Sequence, residues 1–421
     1  MRIGAVVILL PCLFYNQALA QSVNNVRQTV YEGNLGTNKI TFATVKTNNK
    51  NGKNYEAAHY FYDSSRIDIP LLKANSDTTE FKELANDENC YWNEDKDNCK
   101  TKGVFKLALD GENISGVWVN SQNHKQLKVH LKKVATQEYK SQYTISDYSS
   151  LLTAYPTNEN GDTIEGFYLK DAYQSRILAG ELIYGKSIQT TQGTSYKTIT
   201  DKQTGVHYIL LDKLPDKTIK QKVNESLLNN FYEMKSYAME CVAFRAKEEK
   251  PFYSKYGDWE NYSSKVKLLN QNLLVIEELG STYCGGAHPN NTYSHTVYDL
   301  NKGEYFNGNN YFNFYTPDPE DKNNLIETDE YSELKKELRP GSKYWIRQDI
   351  DAGLLQYCTG DDMNYLEFSQ SFNQKGMILS LEGLPHVSGA CMRDYYLIPY
   401  KDLTPFMTDN GKKFFSKELE K

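Results

Sequence analysis

The chain has 421 residues, of which 39% are hydrophobic and 24% are charged, and its formal net charge is −6. This length exceeds a single ordinary domain of ~100–200 residues, so we expect two domains. The apolar content is too high for a disordered chain, and an acidic balance without a basic run argues against nucleic acid as a partner. The same numbers exclude collagen-like, coiled-coil and polytopic membrane proteins.

The first twenty residues have the pattern of an export signal. Arg2 gives a positive start, residues 3–13 are mostly apolar, and Ala18 and Ala20 place small side chains where a signal peptidase reads the chain. The apolar run is too short to cross ~30 Å of hydrocarbon, so we expect no transmembrane anchor after cleavage. We therefore predict a signal peptide over residues 1–20 and a periplasmic or secreted mature protein.

Cysteine usage agrees with export. Of the seven cysteines, Cys12 lies within the predicted signal, which leaves an even number in the mature chain. An even number of cysteines in an exported protein indicates disulfides. Taken in sequence order, they predict the pairs Cys90–Cys99, Cys241–Cys284 and Cys358–Cys391. A zinc site is the rival interpretation, but no C-x-x-C motif or nearby histidine pair supports it, so we expect no metal and no cofactor.

Residues 21–135 have the pattern of short strands separated by turns. From Leu127 to Lys132, apolar residues alternate with basic ones, which places one face of a strand on a core and the other in water. Asp110-Gly111 is a strong signal for a hairpin turn. The segment therefore predicts a small antiparallel β sandwich or barrel.

The rest of the chain is less uniform. Residues 136–205 are rich in Thr, Ser, Tyr and Gly, and two alternatives stay open: extra strands of a neighbouring domain, or a partly ordered connection. Residues 206–410 mix strands and helices without regular alternation, which indicates an α+β domain. Its clearest helix follows Asp216, a suitable N-cap, and residues 411–421 form a predicted tail. The apolar stripe of that helix comprises Ile219, Val223, Leu227, Phe231, Met234 and Ala238.

The segment STYCGGAHPNNTYSHTVYDLNKGEYF, at residues 281–306, resembles the hallmark of the RsiV-like family. The matching residues are Gly285, Gly286, Ala287, His288, Asp299, Leu300 and Gly303. The runs GMILSL at 376–381 and IPYKDL at 398–403 are similar to the end of that family, so the resemblance covers about residues 200–410. It implies an α+β RsiV-like domain after the N-terminal β sandwich or barrel. The family is a domain of unknown function found in lysozyme-sensing anti-sigma-factor ectodomains and in N-terminal regions of some peptidoglycan deacetylases.

What the resemblance implies is a cell-envelope binding protein whose partner is a lysozyme-type muramidase or peptidoglycan. The candidate ligand-binding residues are Gly285, Gly286, His288, Asn290, Tyr293 and His295. Each has a plainer alternative: the glycine pair serves backbone geometry, and the histidines are surface or structural residues, too far apart in an extended segment for one metal. The sequence contains no G-x-S-x-G, H-E-x-x-H, P-loop or dinucleotide motif, so we name no catalytic residue. An envelope hydrolase acting on glycan or ester bonds is the alternative function.

Overall fold

The computed structural model describes most of the chain. The described residues are 23–48, 54–74, 79–84, 100–146, 148–152, 154–164, 166–190, 193–245, 256–284, 288–319, 321, 324–347, 352–359 and 368–420. The predicted signal at residues 1–20, the predicted Cys90–Cys99 pair, Gly285 and Gly286 lie outside them. Within the described ranges, no helix combines the length and apolar character needed to span a bilayer.

The N-terminal strands form a closed antiparallel barrel in which each strand pairs with the next and β8 pairs back with β1. The strands are β1 Asn24–Leu35, β2 Asn38–Asn48, β3 Asn54–Tyr62, β4 Ile69–Lys73, β5 Glu80–Leu84, β6 Thr101–Asp110, β7 Asn113–Asn120 and β8 Gln126–Ser141. Asp110 pairs with Asn113, so Gly111 lies in the predicted hairpin turn, with a positive φ of 53°. Of the two predicted architectures, the structure therefore has the barrel.

Aromatic side chains fill the barrel. Phe42 packs against Phe81 and Phe105, with ring centroids 6.1 and 5.8 Å away. The interior also holds one carboxylate, Glu83, which accepts hydrogen bonds from the Tyr60 hydroxyl at 3.0 Å and from the Trp118 indole at 2.9 Å. A buried charge is costly unless it is hydrogen-bonded, and these donors lower that cost. The barrel interior is thus a packed core.

Strand β8 contributes to two cores because its register with β1 shifts: Val30 pairs with Ala135 and Tyr31 pairs with Lys133, so Val134 is an extra residue in β8. Before the extra residue, Val129 and Leu131 point into the barrel. After it, Ala135 packs with Tyr173 and Leu178 outside the barrel. A bulge adds one residue and so exchanges the two faces of a strand. This shift lets one strand line the barrel and also hold the segment that covers its outer wall.

The covering segment lies within the region whose fold the sequence left open. It comprises three short helices, α1 Tyr148–Leu152, α2 Phe167–Lys170 and α3 Gln174–Ile177. Tyr173 stacks on His59 of β3 with ring centroids 3.7 Å apart and donates a hydrogen bond to Asp68 at 2.6 Å. The rest of the region belongs to a sheet with β12. Its strands are β9 Leu182–Tyr184, β10 Ile188–Gln189, β11 Ser195–Asp201 and β12 His207–Lys213.

The second half is a mixture of helices and antiparallel sheets, as predicted for an α+β fold. Helix α4 spans Lys217–Arg245, and the Asp216 carboxylate caps it by accepting the main-chain N–H groups of Thr218 and Ile219. The strands are β13 Ser263–Leu269, β14 Leu273–Thr282, β15 Asn290–Asp299, β16 Glu304–Tyr305, β17 Tyr315–Pro317, β18 Leu325–Glu327, β19 Ser369–Phe372, β20 Gly376–Leu381 and β21 Arg393–Pro399. The later helices are α5 Asp329–Glu337, α6 Ala352–Thr359, α7 Tyr400–Leu403, α8 Asp409–Phe414 and α9 Ser416–Leu419.

Two cysteine pairs hold this half together. The sulfur atoms of Cys241 and Cys284 lie at disulfide distance and join the end of α4 to the end of β14. Those of Cys358 and Cys391 join α6 to a 3₁₀ turn over His386–Cys391. Both pairs are the ones that sequence order predicts. Disulfides persist in oxidising compartments, so the pairs support a location outside the cytoplasm.

An ion pair is fully buried where the two halves of the chain meet. The Lys235 ammonium of α4 contacts the Asp201 carboxylate at 2.5 Å, and both side chains are 0% exposed. The same ammonium donates to the main-chain carbonyl of Leu178 at 2.8 Å. Asp201 also accepts the N–H and the hydroxyl of Thr204, both at 2.8 Å. The pair therefore ties α4, β11 and the covering segment together.

Candidate functional site

Strand β15 separates two cores, and this decides where its polar residues lie. Val297 packs into the core shared with β19, β20 and β21. Tyr298 packs into the core shared with α4. Since side chains alternate along a strand, Tyr293 and His295 share the face of Val297 and point toward β20 and β21. Glu277 of β14 is the residue directly opposite His295 in the sheet.

His295 lies among three carboxylates, which together we call the carboxylate cluster: His295, Glu277, Glu382 and Asp394. Its Nδ1 is 2.7 Å from Glu382 Oε1. Its Nε2 is 3.8 Å from Glu277 Oε2 and 4.0 Å from Asp394 Oδ1. The imidazole is only 3% exposed, so the cluster encloses the ring on both sides. This histidine joins the β13–β16 sheet to the β19–β21 sheet.

The cluster carries a net negative charge among the described residues. Lys267 pairs with Glu277 at 2.7 Å and offsets one carboxylate. Asp394 Oδ1 accepts hydrogen bonds from the Tyr293 hydroxyl at 2.6 Å and from Ser380 Oγ at 2.8 Å, and both of these donors are neutral. Burial and the bond to Asp394 raise the pKa of Tyr293, so it remains a protonated donor. Asp394 and Glu382 therefore rely on His295 and on neutral donors.

A further carboxylate lies behind the cluster. Glu278 points to the opposite face of β14, where it accepts hydrogen bonds from Tyr262 at 3.1 Å and Thr296 at 3.0 Å. Burial raises the pKa of Glu278, and the nearby charge of Glu382 raises it further. Acidic groups therefore occupy both faces of β14 at this end of the sheet.

Exposed rings and an exposed valine lie on the chain segments next to the cluster, since His288 precedes β15 and the turn with His386 and Val387 lies between Glu382 and Asp394. The imidazoles of His288 and His386 stack with centroids 3.8 Å apart and planes 7° from parallel. Val387 is 79% exposed, and its carbonyl accepts a hydrogen bond from the hydroxyl of Tyr357, which is 50% exposed. We call these four residues, His288, Tyr357, His386 and Val387, the histidine face. The Cys358–Cys391 pair anchors α6 and the 3₁₀ turn that carry three of them.

The structure separates the residues that the sequence analysis grouped. Tyr293 and His295 lie in the carboxylate cluster, and His288 lies in the histidine face. Asn290 is exposed at the first position of β15, where it pairs with Thr282. Among the described contacts, none joins His288 to His295 directly. The predicted set is therefore two adjacent groups, with the position of Gly285 and Gly286 outside the described residues.

Several residues of the site were missed by sequence reasoning. Glu382 contacts His295 across 87 residues of chain, and Asp394 contacts Tyr293 across 101. His386 and Tyr357 are also remote from His288, by 98 and 69 residues of chain. No short motif contains these pairs, so only the docking of one sheet on the other brings them together. The single local signal was the alternation in β15, which places Tyr293 and His295 on one face.

The chemistry open to the cluster is limited by its enclosure. A histidine hydrogen-bonded to a carboxylate is a common acid–base arrangement. Here, however, the ring is almost fully covered, and its second nitrogen faces Glu277 and Asp394 instead of an open cleft. Within the part of the chain that the structure describes, no group of three or more His, Cys, Asp or Glu side chains is arranged to hold a metal ion. The geometry favours a charged and rigid wall over an open catalytic cleft.

Comparison with known proteins gives little further information. No protein-family model and no curated protein matches the chain. Among solved structures, the chain is similar to the crystal structure of a member of the DUF3298 family from Bacteroides fragilis, with 16% sequence identity. The alignment covers 57% of this chain and 99% of that chain, with a TM-score of 0.31. That family is uncharacterised, and the likeness to the RsiV-like family stays a prediction from the sequence motifs.

Proposed function

We propose that this protein is an exported cell-envelope binding protein that uses the histidine face to bind a basic protein partner of the lysozyme-type muramidase class. The observation that carries the proposal is the position of an exposed apolar and aromatic patch beside the carboxylate cluster. Exposed apolar side chains rimmed by charge are typical of protein interaction sites. The sequence resemblance to an envelope family supports the choice of partner.

Charge supports a basic partner. Three carboxylates and one histidine lie next to the histidine face, and Lys267 is the one lysine that pairs with them among the described residues. Complementary potentials speed association and reject partners of the wrong sign. The whole chain adds to the effect, since its formal net charge is −6. A basic muramidase fits this field better than an anionic glycan does.

Titration calorimetry of the protein with a lysozyme-type muramidase tests the proposal, with soluble peptidoglycan fragments as a parallel titrant. We expect micromolar or tighter binding to the enzyme. Val387→Lys replaces the exposed valine of the face with a positive charge. Because that charge repels a basic partner, the affinity should fall at least about tenfold. Ile183→Lys makes the same change at a residue that is 51% exposed on β9, and it should bind like the wild type. Absence of heat with the muramidase would refute the choice of partner.

The alternative, an envelope hydrolase, rests on the His295–Glu382 pair. It receives less support because the ring is enclosed, as described above, and a general base needs access to its substrate proton. Incubation with peptidoglycan, followed by assay of new reducing ends and free acyl groups, separates the two functions. Turnover that His295→Gln abolishes, without loss of stability, would favour the hydrolase over the binding protein.

A further inference from the structure

The outer wall of the barrel carries a second, positively charged surface far along the chain from the histidine face. On β8, Lys128, His130 and Lys132 all point outward and are exposed. Lys106 of β6 lies in the same cross-strand row as Lys128, with Val117 of β7 between them. We call Lys82, Lys106, Lys128, His130 and Lys132 the lysine face.

Few carboxylates oppose these cations. Among the described residues, Lys82, Lys128 and Lys132 have no ion-pair partner, and Lys106 lies 3.6 Å from Glu80. Glu32 is next to Lys132 in the register of β1 with β8, but it already pairs with Arg176 at 2.6 Å. In an acidic chain, a face with this charge marks a site for an anionic ligand.

A shallow groove, open to solvent, lies in the same wall. It has a volume of about 520 Å³, and its lining includes Thr79, Glu80, Lys106, Ala108, Ser115 and Gly116. Gly116 cannot take a side chain, because a Cβ would lie 2.1 Å from the Lys106 carbonyl oxygen. The concavity and the cations therefore coincide on one surface.

The side chains of this wall narrow the class of ligand. Across β5, β6, β7 and the part of β8 before Lys133, the outward residues include no Phe, Tyr or Trp, so the ring platform on which bases or neutral sugars usually stack is missing there. Val104, Val117 and Val119 are half-buried in the barrel wall, so little apolar surface projects for insertion into a bilayer. Recognition must therefore depend on charge.

The spacing of the cations indicates an extended ligand. Lys128 and Lys132 are four residues apart on one strand, which corresponds to about 13 Å. Lys106 and Lys128 are two strands apart, which corresponds to about 10 Å. A polymer with repeated negative charges can contact several lysines at once over such distances between strands.

We infer that the lysine face, with its groove, binds an acidic polysaccharide. The polymer lies across β5–β8, and its sulfate, carboxylate or phosphate groups pair with Lys106, Lys128 and Lys132. This site is independent of the histidine face and of the partner proposed there. It gives the barrel a binding role of its own, for a ligand opposite in charge to the basic protein partner of the other half.

Titration of the full chain with dextran sulfate, with neutral dextran of the same length as the control polymer, tests the inference. Dextran sulfate should bind and neutral dextran should not. Lys128→Gln/Lys132→Gln should weaken binding about tenfold and flatten its dependence on salt, since two exposed ion pairs are lost. Lys412→Gln/Lys413→Gln removes the same charge from exposed positions on α8 and should have no effect. Glu80→Gln should strengthen binding, because it removes the carboxylate in the groove.

Three results would overturn the inference. The first is a lack of binding to dextran sulfate at low salt. The second is an equal loss of affinity in both lysine double variants. The third is lysine-dependent binding to vesicles that contain an anionic phospholipid without any binding to dextran sulfate, which would assign the face to a membrane surface. Circular dichroism of each variant checks that the barrel is folded, so that a loss of binding reports on the face itself.

Discussion

Lys235 shows how much a single side chain contributes at the junction of the two halves. Its ammonium is fully buried, and burial lowers its pKa, yet it contacts the Asp201 carboxylate and a main-chain carbonyl. A buried ion pair adds little compared with apolar packing, but removing one partner leaves the other charge unpaired in the interior. The pair itself therefore adds little stability, but loss of Lys235 would leave the Asp201 carboxylate buried without a cation, at a large cost in stability.

We expect Lys235→Met to lower the free energy of unfolding by about 3–5 kcal/mol, because Asp201 would then be a buried carboxylate without its cation. Urea denaturation followed by circular dichroism measures this loss. Lys202→Met is the matched control, since Lys202 pairs with Glu181 at the surface and should contribute less than about 0.5 kcal/mol. Equal stabilities of the two variants would contradict this account of the buried pair.

Glu278 gives a prediction about pH. Its folded pKa is raised above the ordinary value of 4.5 by burial, so the folded state binds more protons than the unfolded state between the two pKa values. The ionised form thus costs stability near pH 7, and the cost disappears as pH falls through that window. Glu278→Gln keeps an acceptor for Tyr262 and Thr296 and should be more stable than wild type at pH 7. Unfolding free energies measured from pH 7 to 4.5 should converge, and a constant difference would contradict the raised pKa.

Two glycines of the barrel have different structural roles, and single substitutions can test them. Gly33 in β1 lies so close to β8 that a Cβ would be 2.0 Å from the carbonyl oxygen of His130. Gly111, by contrast, has a positive φ and no atom within 4 Å of its Cβ position. The first glycine permits close approach of two strands, and the second permits a turn.

Gly33→Ala should therefore destabilise the protein by roughly 1–3 kcal/mol, because β1 and β8 must separate to make room. Gly111→Asn should cost little, since Asn tolerates a left-handed turn and meets no neighbour. Thermal unfolding of the two variants checks the contrast. A larger loss for the turn variant would mean that the hairpin, and not barrel closure, limits stability.

Some of these elements could be predicted from sequence, and others could not. The alternation from Leu127 to Lys132 identified β8, Asp110-Gly111 identified a turn, and Asp216 identified the start of α4, because each signal is local. The helices of the covering segment have only four or five residues, too few for a periodic pattern. The exchange of faces at Val134 in β8 depends on its pairing with β1, which no local pattern records.

The candidate site shows the same limit. Alternation in β15 placed Tyr293 and His295 on one face, but the partners that give His295 its environment come from β20 and β21. Their approach is a property of tertiary packing, in which Val297 and Leu379 share one core. The lysine face could be predicted from the sequence in part. The alternation in β8 predicts that its lysines point outward, whereas Lys106 lies near them only because of the strand register in the barrel.

At the scale of the whole molecule, two cysteine pairs in the described residues cross-link the chain. Each closes a loop and restricts the unfolded ensemble, with sequence separations of 43 for Cys241–Cys284 and 33 for Cys358–Cys391. Both lie in the half that carries the histidine face. They hold its 3₁₀ turn and the end of β14 in place.

Replacing Cys358 and Cys391 with alanine should lower the free energy of unfolding by about 2–4 kcal/mol. It should also weaken binding at the histidine face, while binding of dextran sulfate by the barrel stays unchanged.

Alkylation of the unfolded, unreduced protein followed by intact mass should find no free thiol among the six cysteines outside the predicted signal. A mass increase corresponding to two labels would disprove the predicted Cys90–Cys99 pair, if the labels map to those residues.

The closure of the barrel has a consequence for the speed of folding. Asn24 pairs with Ser141, so the first strand of the barrel cannot complete its hydrogen bonds until the last one is available. Contacts so distant in sequence carry a large loop entropy and slow the search for the native state. Until β8 pairs with it, β1 has one edge whose main-chain groups lack partners. Exposed polar and charged residues of β1, Asn25 and Arg27 among them, are of the kind that disfavours pairing of such an edge with other chains.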